Sequence, residues 1–328
     1  MEKFDVVIIG GGPAGLKAAE VLAKGKKSVV VFEKKPIIGP KICAGGLSHK
    51  IFQLGIPLFL AERIFHSIKI HSPKQTIECK SHSDKFLVAT IDRGKLGQWM
   101  AEQAKKQGAE IRVDSEVGEI KENRIILKDG KIIGFNYLIG ADGSVSLTRS
   151  FLNLPMRDIW IAIQYDMPKS FNSLEVFFDK NLFGDGYAWI FPHKIRTLIG
   201  AGVELSFYQT KKVQENLIYL LKKRKIDIGG AKLESFPINC DYQGFDFGNK
   251  FLIGDAAGFT PSSTGEGIYS ALVSGKEVAQ RILNPNYNCP EIKKLLKRKI
   301  MKERIGKYFK FILIRNKTLA EIMFKKLI

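Results

Sequence analysis

The chain has 328 residues, of which 45% are hydrophobic and 26% are charged. This balance is ordinary for a globular protein and excludes a disordered or low-complexity chain. The net charge of +19, from 52 basic and 33 acidic residues, is high. It favours acidic partners, such as nucleic acid, anionic lipid headgroups or an acidic protein.

The cysteines show no metal-site spacing. They are Cys43, Cys79, Cys240 and Cys289, with no C-x-x-C pair and no His/Cys cluster. We therefore predict no metal and a reducing, cytoplasmic environment. No apolar run approaches the ~18 residues of a membrane span. The apolar start is not expected to be a signal peptide, because glycines interrupt it and no basic leader precedes it.

The first elements along the chain predict a βαβ unit. Residues 4–10, "FDVVIIG", are a β-branched apolar run that ends in glycine, which is typical of a buried strand. Residues 14–24 are predicted to form a helix, and residues 28–33, "SVVVFE", are predicted to form the next strand.

Downstream, antiparallel and parallel patterns interleave. Within residues 64–90, apolar and polar residues alternate and a Ser-Pro turn interrupts them, which suggests an antiparallel hairpin. The other predicted elements are a helix over 93–107, short strands over 110–128, a strand over 136–143, an antiparallel region over 158–203, a helix over 208–224, a buried strand over 250–258 and a helix over 265–283. Without a repeat or a long linker, this order predicts two lobes that the chain crosses several times.

A dinucleotide-binding fingerprint follows the first strand. "IIGGGPAGL" contains G-x-G-x-x-G as Gly10, Gly12 and Gly15. The first glycine permits the tight turn, the second leaves room for a pyrophosphate, and the third lets the helix pack close to the sheet. The N-terminus of the helix offers N–H groups to the phosphates. Glu33 ends the next strand, where a carboxylate can accept the ribose hydroxyls of an adenosine.

Two later segments resemble further signatures of the FAD-dependent reductase and hydroxylase superfamily. They are "GADGSVSLTR" (140–149) and "FLIGDAAGFTPSSTGEGIYSAL" (251–272). The resemblance implies that Asp255 binds the ribityl chain of FAD. It also implies that the helix beginning near Gly267 directs its N-terminus at the flavin pyrimidine edge, where its positive end stabilises the anionic reduced flavin.

The same resemblance implies further cofactor contacts. "IDRGKLGQWM" matches the Asp-Arg helix start of the superfamily, with Arg93 as a flavin contact, and Val117 is expected to contact adenine through its backbone. The predicted FAD-binding residues are Gly10, Gly12, Pro13, Ala14, Gly15, Glu33, Lys34, Cys43, Ala44, Gly46, Arg93, Val117, Asp142, Asp255, Gly265, Gly267 and Ile268.

Three segments together resemble the geranylgeranyl reductase family. They are "KICAGGL" (41–47), "GYAWIFP" (186–192) and "GDAAGFTPSSTGEGIYSALVSG" (254–275). These FAD enzymes saturate isoprenoid double bonds in lipids, chlorophyll side chains or quinone tails. The implied α/β fold is a Rossmann-like FAD-binding domain of the glutathione-reductase type, with an interleaved antiparallel-sheet substrate domain and short C-terminal helices, as in the hydroxybenzoate-hydroxylase fold. "GYAWIFP" also resembles a flavin halogenase motif.

The predicted domains are discontinuous. The FAD-binding domain comprises 1–60, 85–155 and 245–285, the substrate domain comprises 61–84 and 156–244, and a basic helical segment comprises 286–328. Family members commonly have a larger C-terminal region that helps to cover the lipid tunnel, so the reach of the substrate site in this chain is left open.

The substrate side of the site is predicted from one strand and one loop. In "GYAWIFP", Tyr187, Trp189 and Phe191 share one face, which either lines an apolar slot for a prenyl chain or is simply core. The glycines of "KICAGGL" would let the backbone pass close to the flavin. Cys43 in that loop is the one candidate catalytic side chain, and it either takes part in the reduction or only shapes the pocket.

The chemistry is predicted to be hydride transfer from reduced flavin to a C=C bond, with a proton from water or an unassigned acid. The electron donor, a ferredoxin or a reduced nicotinamide, stays open. One alternative is a flavin monooxygenase or halogenase of an aromatic substrate, and another is a non-catalytic FAD- or lipid-binding protein. The histidines, expected to be surface or hydrogen-bonded structural residues, are His49, His66, His71, His82 and His193.

The C-terminal segment is strongly basic. Residues 290–328 hold 13 Lys/Arg and 3 acidic residues, a net charge of +10. Apolar residues recur near helical spacing at Ile292, Leu295, Leu296, Ile305, Tyr308, Phe309, Ile312, Leu313, Leu319, Met323 and Leu327. This helix can pack on the body, bind anionic lipid at the inner face of the membrane, or dock an acidic electron donor. Nucleic-acid binding is not expected, because no binding module is recognised.

Overall fold

The computed structural model describes residues 1–81, 85–205, 210–313, 315–316, 318–320 and 322–323. The strands are β1 (Glu2–Ile9), β2 (Val29–Phe32), β3 (Gly46–Ser48), β4 (Ala61–Phe65), β5 (Ser67–His71), β6 (Thr76–Lys80), β7 (Val88–Ile91), β8 (Glu110–Arg112), β9 (Val117–Ile120), β10 (Arg124–Leu127), β11 (Ile132–Gly140), β12 (Ile159–Met167), β13 (Glu175–Phe177), β14 (Tyr187–Pro192), β15 (Thr197–Glu204), β16 (Lys232–Asn239), β17 (Asp246–Phe247) and β18 (Lys250–Leu252). The α-helices are α1 (Pro13–Lys24), α2 (His49–Phe52), α3 (Arg93–Lys106), α4 (Leu147–Phe151), α5 (Lys180–Phe183), α6 (Thr210–Lys223), α7 (Gly267–Leu283) and α8 (Pro290–Leu313), and Leu58–Leu60 and Gly254–Ala257 are single 3₁₀ turns.

The first sheet is mainly parallel and carries the glycine-rich turn. Its strand order is β17-β18-β11-β1-β2-β8, with β10 paired to β11 and β9 paired to β10. β1 pairs in parallel with both β11 and β2, and its last four residues are buried, as an apolar central strand requires. α7 crosses α1 closely, because a Cβ added to Gly275 would lie 2.4 Å from the Ala14 carbonyl oxygen.

The second sheet is mainly antiparallel. Its order is β16-β12-β15-β14-β13-β5-β6, in which only the β13–β5 pair is parallel among the described strands. α6 covers one face with its buried Val213, Leu217 and Leu221. Parts of β12, β14 and β16 line a cavity that also borders the first sheet. The predicted α/β fold with an added antiparallel sheet is therefore confirmed.

A third, small sheet in the order β3-β7-β4 lies close to the cavity-lining loop that precedes β3. The segment 61–84, which was predicted to belong to the substrate domain, is shared between this small sheet and the second sheet. β4 pairs with β7 in the small sheet, whereas β5 and β6 form the predicted hairpin and join the second sheet. The division of the chain into FAD-binding and substrate domains stays a proposal.

α8 packs on the body and spans both lobes. Its Ile292 and Leu295 join the core of the parallel sheet, while Phe309 and Leu313 join the core beside β5 and β6. Tyr308, predicted as an apolar contact, is 69% exposed, because its neighbour Phe309 occupies the inward position. The predicted contact Leu327 lies outside the described residues. No helix among the described residues is long and apolar enough to cross a membrane.

Candidate functional site

A cavity of about 1770 Å³, with its open mouth included, lies between the two large sheets. The segments that meet there include the turn after β1, the loop before β3, the start of α3, the strand β14, the turn at Asp255 and the N-terminus of α7. The predicted residues that line it are Gly12, Pro13, Ala14, Cys43, Ala44, Gly46, Arg93, Tyr187, Trp189, Phe191, Asp255, Gly265, Gly267 and Ile268. The tertiary structure thus brings together most of the site that the sequence predicts.

The glycine-rich turn has the geometry of a phosphate cradle. Gly10 has a positive φ of 106°, and a Cβ added there would lie 2.3 Å from the Ala141 carbonyl oxygen. A Cβ on Gly15 would lie 2.1 Å from the Gly10 carbonyl oxygen, so only glycine allows α1 to start this close to the strand. Around Gly12 no described atom lies within 4 Å of such a Cβ. This open position at the start of α1 suits a pyrophosphate.

The predicted adenosine end lies beside the cavity, at the edge of the sheet. Glu33 Oε2 accepts a hydrogen bond of 2.9 Å from the Gly11 N–H, and Oε1 accepts one of 3.0 Å from the Lys35 N–H. Ser115 N–H donates to the Glu33 carbonyl oxygen at 2.9 Å, which ties the chain just before β9 and Val117 to the end of β2. The exposed Lys34 lies next to it. The site thus continues outward from the cavity towards β9.

Arg93 shows that the cavity is built for a polar ligand. It begins α3 and is 8% exposed. Its Nε and one terminal nitrogen are buried without a hydrogen-bond partner among the described residues. Buried guanidinium groups are almost always paired, so a ligand with acceptor oxygens is expected beside this side chain. The phosphates, ribityl hydroxyls and ring carbonyls of FAD are such acceptors, and the residues present therefore fit FAD.

Asp255 is held ionised by its neighbours. Lys41 Nζ lies 2.9 Å from Asp255 Oδ2, and the Thr260 hydroxyl donates to Oδ1 at 2.7 Å. Burial raises the pKa of this carboxyl, but Lys41, the hydrogen bonds and Arg93 together hold it below its usual range. A carboxylate kept charged inside a cavity is suited to accept hydroxyl groups of a ligand. The sequence reasoning did not identify Lys41, which lies 214 positions from its partner.

The N-terminus of α7 borders the cavity through Gly265, Glu266, Gly267 and Ile268. Gly265 has a positive φ of 63°. A Cβ on Gly267 would lie 2.9 Å from Thr260 Oγ1, so the helix starts close against the Asp255 turn. The partial positive charge of the helix end is therefore directed at the cavity. That it faces the flavin pyrimidine edge stays a prediction. Glu266 had not been predicted as a site residue.

The loop 41–46 passes along the cavity in a conformation that requires glycine. Gly45 has a positive φ of 72°, and a Cβ on Gly46 would lie 2.4 Å from Phe191 Cε2. Cys43 is half-buried, and its Sγ accepts a hydrogen bond of 3.4 Å from the Gly45 N–H. The thiol is therefore part of the cavity wall. Whether it also takes part in the chemistry stays a prediction.

His193 supports this loop from behind. It is 1% exposed, and its ring contacts Glu62 and the Ala44 carbonyl oxygen. The expectation of a hydrogen-bonded histidine agrees with this position, but its place beside the cavity loop had not been predicted. His71 is also buried, between Thr76 and Glu175. His82 lies outside the described residues.

The aromatic face of β14 is a wall of the same cavity. The Tyr187 hydroxyl donates to the Thr264 carbonyl oxygen at 2.7 Å, and the Tyr187 and Trp189 ring centroids are 5.9 Å apart. Burial raises the pKa of Tyr187 well above its ordinary value, so the phenol stays protonated. Further lining residues from the neighbouring strands are Trp160, Phe236 and Ile238. The wall is apolar, with a few polar groups, as is common in sites that bind small molecules.

Asp142 has a different environment from the other predicted contacts. Its carboxylate accepts hydrogen bonds from the Ser146 hydroxyl at 2.6 Å and from the Thr148 N–H at 3.0 Å. Burial raises the pKa of this carboxyl. The side chain therefore holds the first turn of α4, whereas its neighbours Ala141 and Gly143 line the cavity. A contact between Asp142 and the cofactor stays a prediction.

Comparisons with known proteins agree with this geometry. Residues 3–160 match the family model of the FAD binding domain. The chain is similar to an uncharacterized protein from Methanosarcina barkeri, with 34% identity over 86% of this chain and 75% of that protein. It is also similar to a geranylgeranyl diphosphate reductase from Rhodobacter capsulatus, with 28% identity over 85% of this chain and 74% of that protein. The chain belongs to the geranylgeranyl reductase family of FAD-dependent oxidoreductases.

Solved structures show the same fold. A geranylgeranyl bacteriochlorophyll reductase-like protein from Thermoplasma acidophilum superposes with a TM-score of 0.83 at 23% identity, covering 100% of this chain and 92% of that chain. A flavin-dependent brominase superposes with a TM-score of 0.74 at 17% identity, over 99% of this chain and 93% of that one. The predictions of the family, of FAD as cofactor and of an oxidoreductase are confirmed. The individual residue roles stay predictions.

Proposed function

We propose that this family member saturates isoprenoid C=C bonds of a membrane lipid or a prenyl quinone. The observation that carries the proposal is the aromatic face of β14, which lines the same cavity as the glycine-rich turn and the loop 41–46. Relatives named as geranylgeranyl diphosphate reductase and digeranylgeranylglycerophospholipid reductase support this class of substrate. FAD in its reduced form would supply the hydride.

The residues of this chain would have separate roles in the reaction. The glycine-rich turn, Glu33, Arg93 and Asp255 would bind and orient the cofactor. Tyr187, Trp189 and Phe191 would hold the prenyl chain against the reacting edge and exclude water. The loop 41–46 would shape the wall beside the double bond. The source of the proton is left unassigned.

The remaining partners belong to the same proposal. Electrons would come from an external donor, a ferredoxin or a reduced nicotinamide, since the sequence contains one dinucleotide fingerprint. The outward face of α8 carries exposed basic residues such as Lys294, whose side chain is 61% exposed. We propose that this face contacts anionic lipid at the inner surface of the membrane, near the prenylated substrate.

The decisive experiment is a single anaerobic turnover. The FAD-loaded protein is reduced with dithionite, the excess reductant is removed, and a lipid with geranylgeranyl chains is added. The proposal predicts that the flavin reoxidises and that the lipid gains two hydrogens for each reduced double bond by mass spectrometry. Trp189→Ala should slow this reoxidation, whereas Tyr219→Ala, at an exposed position on α6, should not.

Other outcomes would identify the alternatives. Reoxidation that requires oxygen and an aromatic substrate, with no gain of hydrogen by the lipid, would indicate a monooxygenase or halogenase. A flavin that stays reduced in the presence of lipid while the lipid still binds would indicate a binding protein. Either result would overturn the proposed reductase activity.

A further inference from the structure

The C-terminal helix reaches the flavin end of the cavity through a buried ion pair. Lys302 Nζ on α8 lies 2.5 Å from Glu266 Oε2, and the Ser48 hydroxyl donates to the other carboxylate oxygen at 2.6 Å. The Lys302 and Glu266 side chains are only 11% and 19% exposed. Glu266 immediately precedes α7 and lines the cavity. Glu266 therefore lies beside the place where the flavin pyrimidine edge is expected.

The inward face of α8 is built to bring positive charge to this place. Lys299, one turn before Lys302, is also buried, and its ammonium donates to the Thr260 carbonyl oxygen at 3.2 Å and to Glu303 at 2.5 Å. A Cβ on Gly306 would lie 2.6 Å from Ser263 Cβ, so the helix packs directly on the loop before α7. Buried lysines cost free energy unless they are paired. Two of them on one helix face indicate an electrostatic role.

The charges around the N-terminus of α7 oppose each other. The helix end contributes a partial positive charge, which favours an anionic ligand. An unpaired Glu266 carboxylate would cancel this effect and disfavour an anionic reduced flavin. Lys302 neutralises Glu266 and so preserves the positive potential. Lys50 and Arg298 also contribute positive charge to this region, and the Lys302 ammonium is in direct contact with the Glu266 carboxylate.

We propose that Lys302, acting through Glu266, raises the reduction potential of the bound FAD and is a positioning residue for the cofactor. The basic C-terminal helix is then part of the flavin site as well as a surface element. This inference depends on FAD binding and not on the proposed prenyl substrate. Its test therefore needs no lipid, and the result does not depend on whether the reductase proposal is correct.

The experiment measures the FAD potential of the loaded protein against reference dyes. Lys302→Met should weaken binding of reduced FAD relative to oxidised FAD by about tenfold, which for a two-electron couple lowers the potential by about 30 mV. Glu266→Gln should shift the potential in the opposite direction. The double variant should lie near the wild type, because neither charge remains. Lys294→Met removes an exposed lysine from the same helix and should leave the potential unchanged.

The sign of each shift separates this role from a purely structural one. Equal shifts in potential for Lys302→Met and Lys294→Met would show that only the net charge of the protein matters, and would overturn the proposal. An unchanged or lowered potential in Glu266→Gln would also overturn it. That variant keeps the size of the side chain, so it decides the question even if Lys302→Met does not fold. The dissociation constant of oxidised FAD, measured alongside, should change less than that of reduced FAD in every variant.

Discussion

His193 Nδ1 lies 2.7 Å from Glu62 Oε2, and His193 Nε2 lies 3.1 Å from the Ala44 carbonyl oxygen. The imidazole ring thus bridges a side-chain carboxylate and a backbone carbonyl oxygen through its two nitrogens. A Cβ on Gly45 would lie 2.8 Å from His193 Cε1, so the ring and the loop fit closely. The pair therefore holds the backbone of the cavity loop in place from the protein interior.

Replacing this histidine should loosen the loop. His193→Phe keeps an aromatic ring but leaves the Ala44 carbonyl and the Glu62 carboxylate without their donor, at a cost of about 1–3 kcal/mol in the free energy of unfolding. We expect FAD affinity, measured by flavin fluorescence, to fall about tenfold. His66→Phe, at an exposed position, is the matched control. Wild-type FAD affinity and stability in His193→Phe would show that the loop does not depend on the pair.

Gly46 and Phe191 should behave as a coupled pair. Because a Cβ on Gly46 would lie 2.4 Å from Phe191 Cε2, Gly46→Ala must displace either the ring or the loop, at a cost of about 1–3 kcal/mol. Phe191→Leu in the same chain should recover part of this loss, which a double-mutant cycle of unfolding free energies measures. Gly118→Ala meets only ordinary contacts and is the control. Strictly additive effects would contradict the close contact.

Cys43 should matter more for turnover than for cofactor retention. Its thiol lines the cavity, while its hydrogen bond is made within its own loop. We expect Cys43→Ala to lower the rate of flavin reoxidation by substrate about tenfold, because the altered cavity wall would position the substrate less well. FAD affinity should change less. Cys79→Ala, buried in the hairpin core, is the control. An unchanged rate would make the thiol incidental.

The Lys41–Asp255 pair predicts a pH-dependent stability. The pKa of Asp255 is held below its usual range, so its contribution is present above the unfolded pKa of about 3.9 and is lost as the pH falls through the folded pKa. In Lys41→Met, the lysine no longer offsets the effect of burial on the Asp255 carboxyl, so the pKa of Asp255 rises. The ionised carboxylate then destabilises the variant at pH 7, by about 1–2 kcal/mol after allowance for the partial exposure of Lys41.

Thermal unfolding at several pH values tests this prediction. The difference between the wild type and Lys41→Met should be largest at neutral pH and should shrink as the pH falls and Asp255 becomes protonated, first in the variant and then in the wild type. Lys131→Met breaks an exposed pair with Asp129 and should show a much weaker trend, because solvent screens this pair. A difference that grows as the pH falls would contradict the assigned sign.

Much of the fold follows from local patterns in the sequence. The apolar run of β1, the capping of α3 by Asp92 and the alternation of β5 and β6 depend on neighbours in the chain, and the predicted spans agree with the observed ones within a few residues. The pairing of β4 with β7 in a separate small sheet was not predicted. Strand partners are chosen by tertiary packing, because one apolar strand can pair with several others.

For the site, the sequence by itself determined the dinucleotide turn and the aromatic face of β14, because each lies within one short segment whose spacing carries the chemistry. The later FAD signatures were identified by their resemblance to a known superfamily. Only the tertiary structure decided which distant side chains support those segments. Lys41 with Asp255, Glu62 with His193 and Lys302 with Glu266 are separated by 214, 131 and 36 positions. Hydrogen bonds between such positions leave no periodic pattern in a single sequence, because folding alone brings their atoms within about 3 Å.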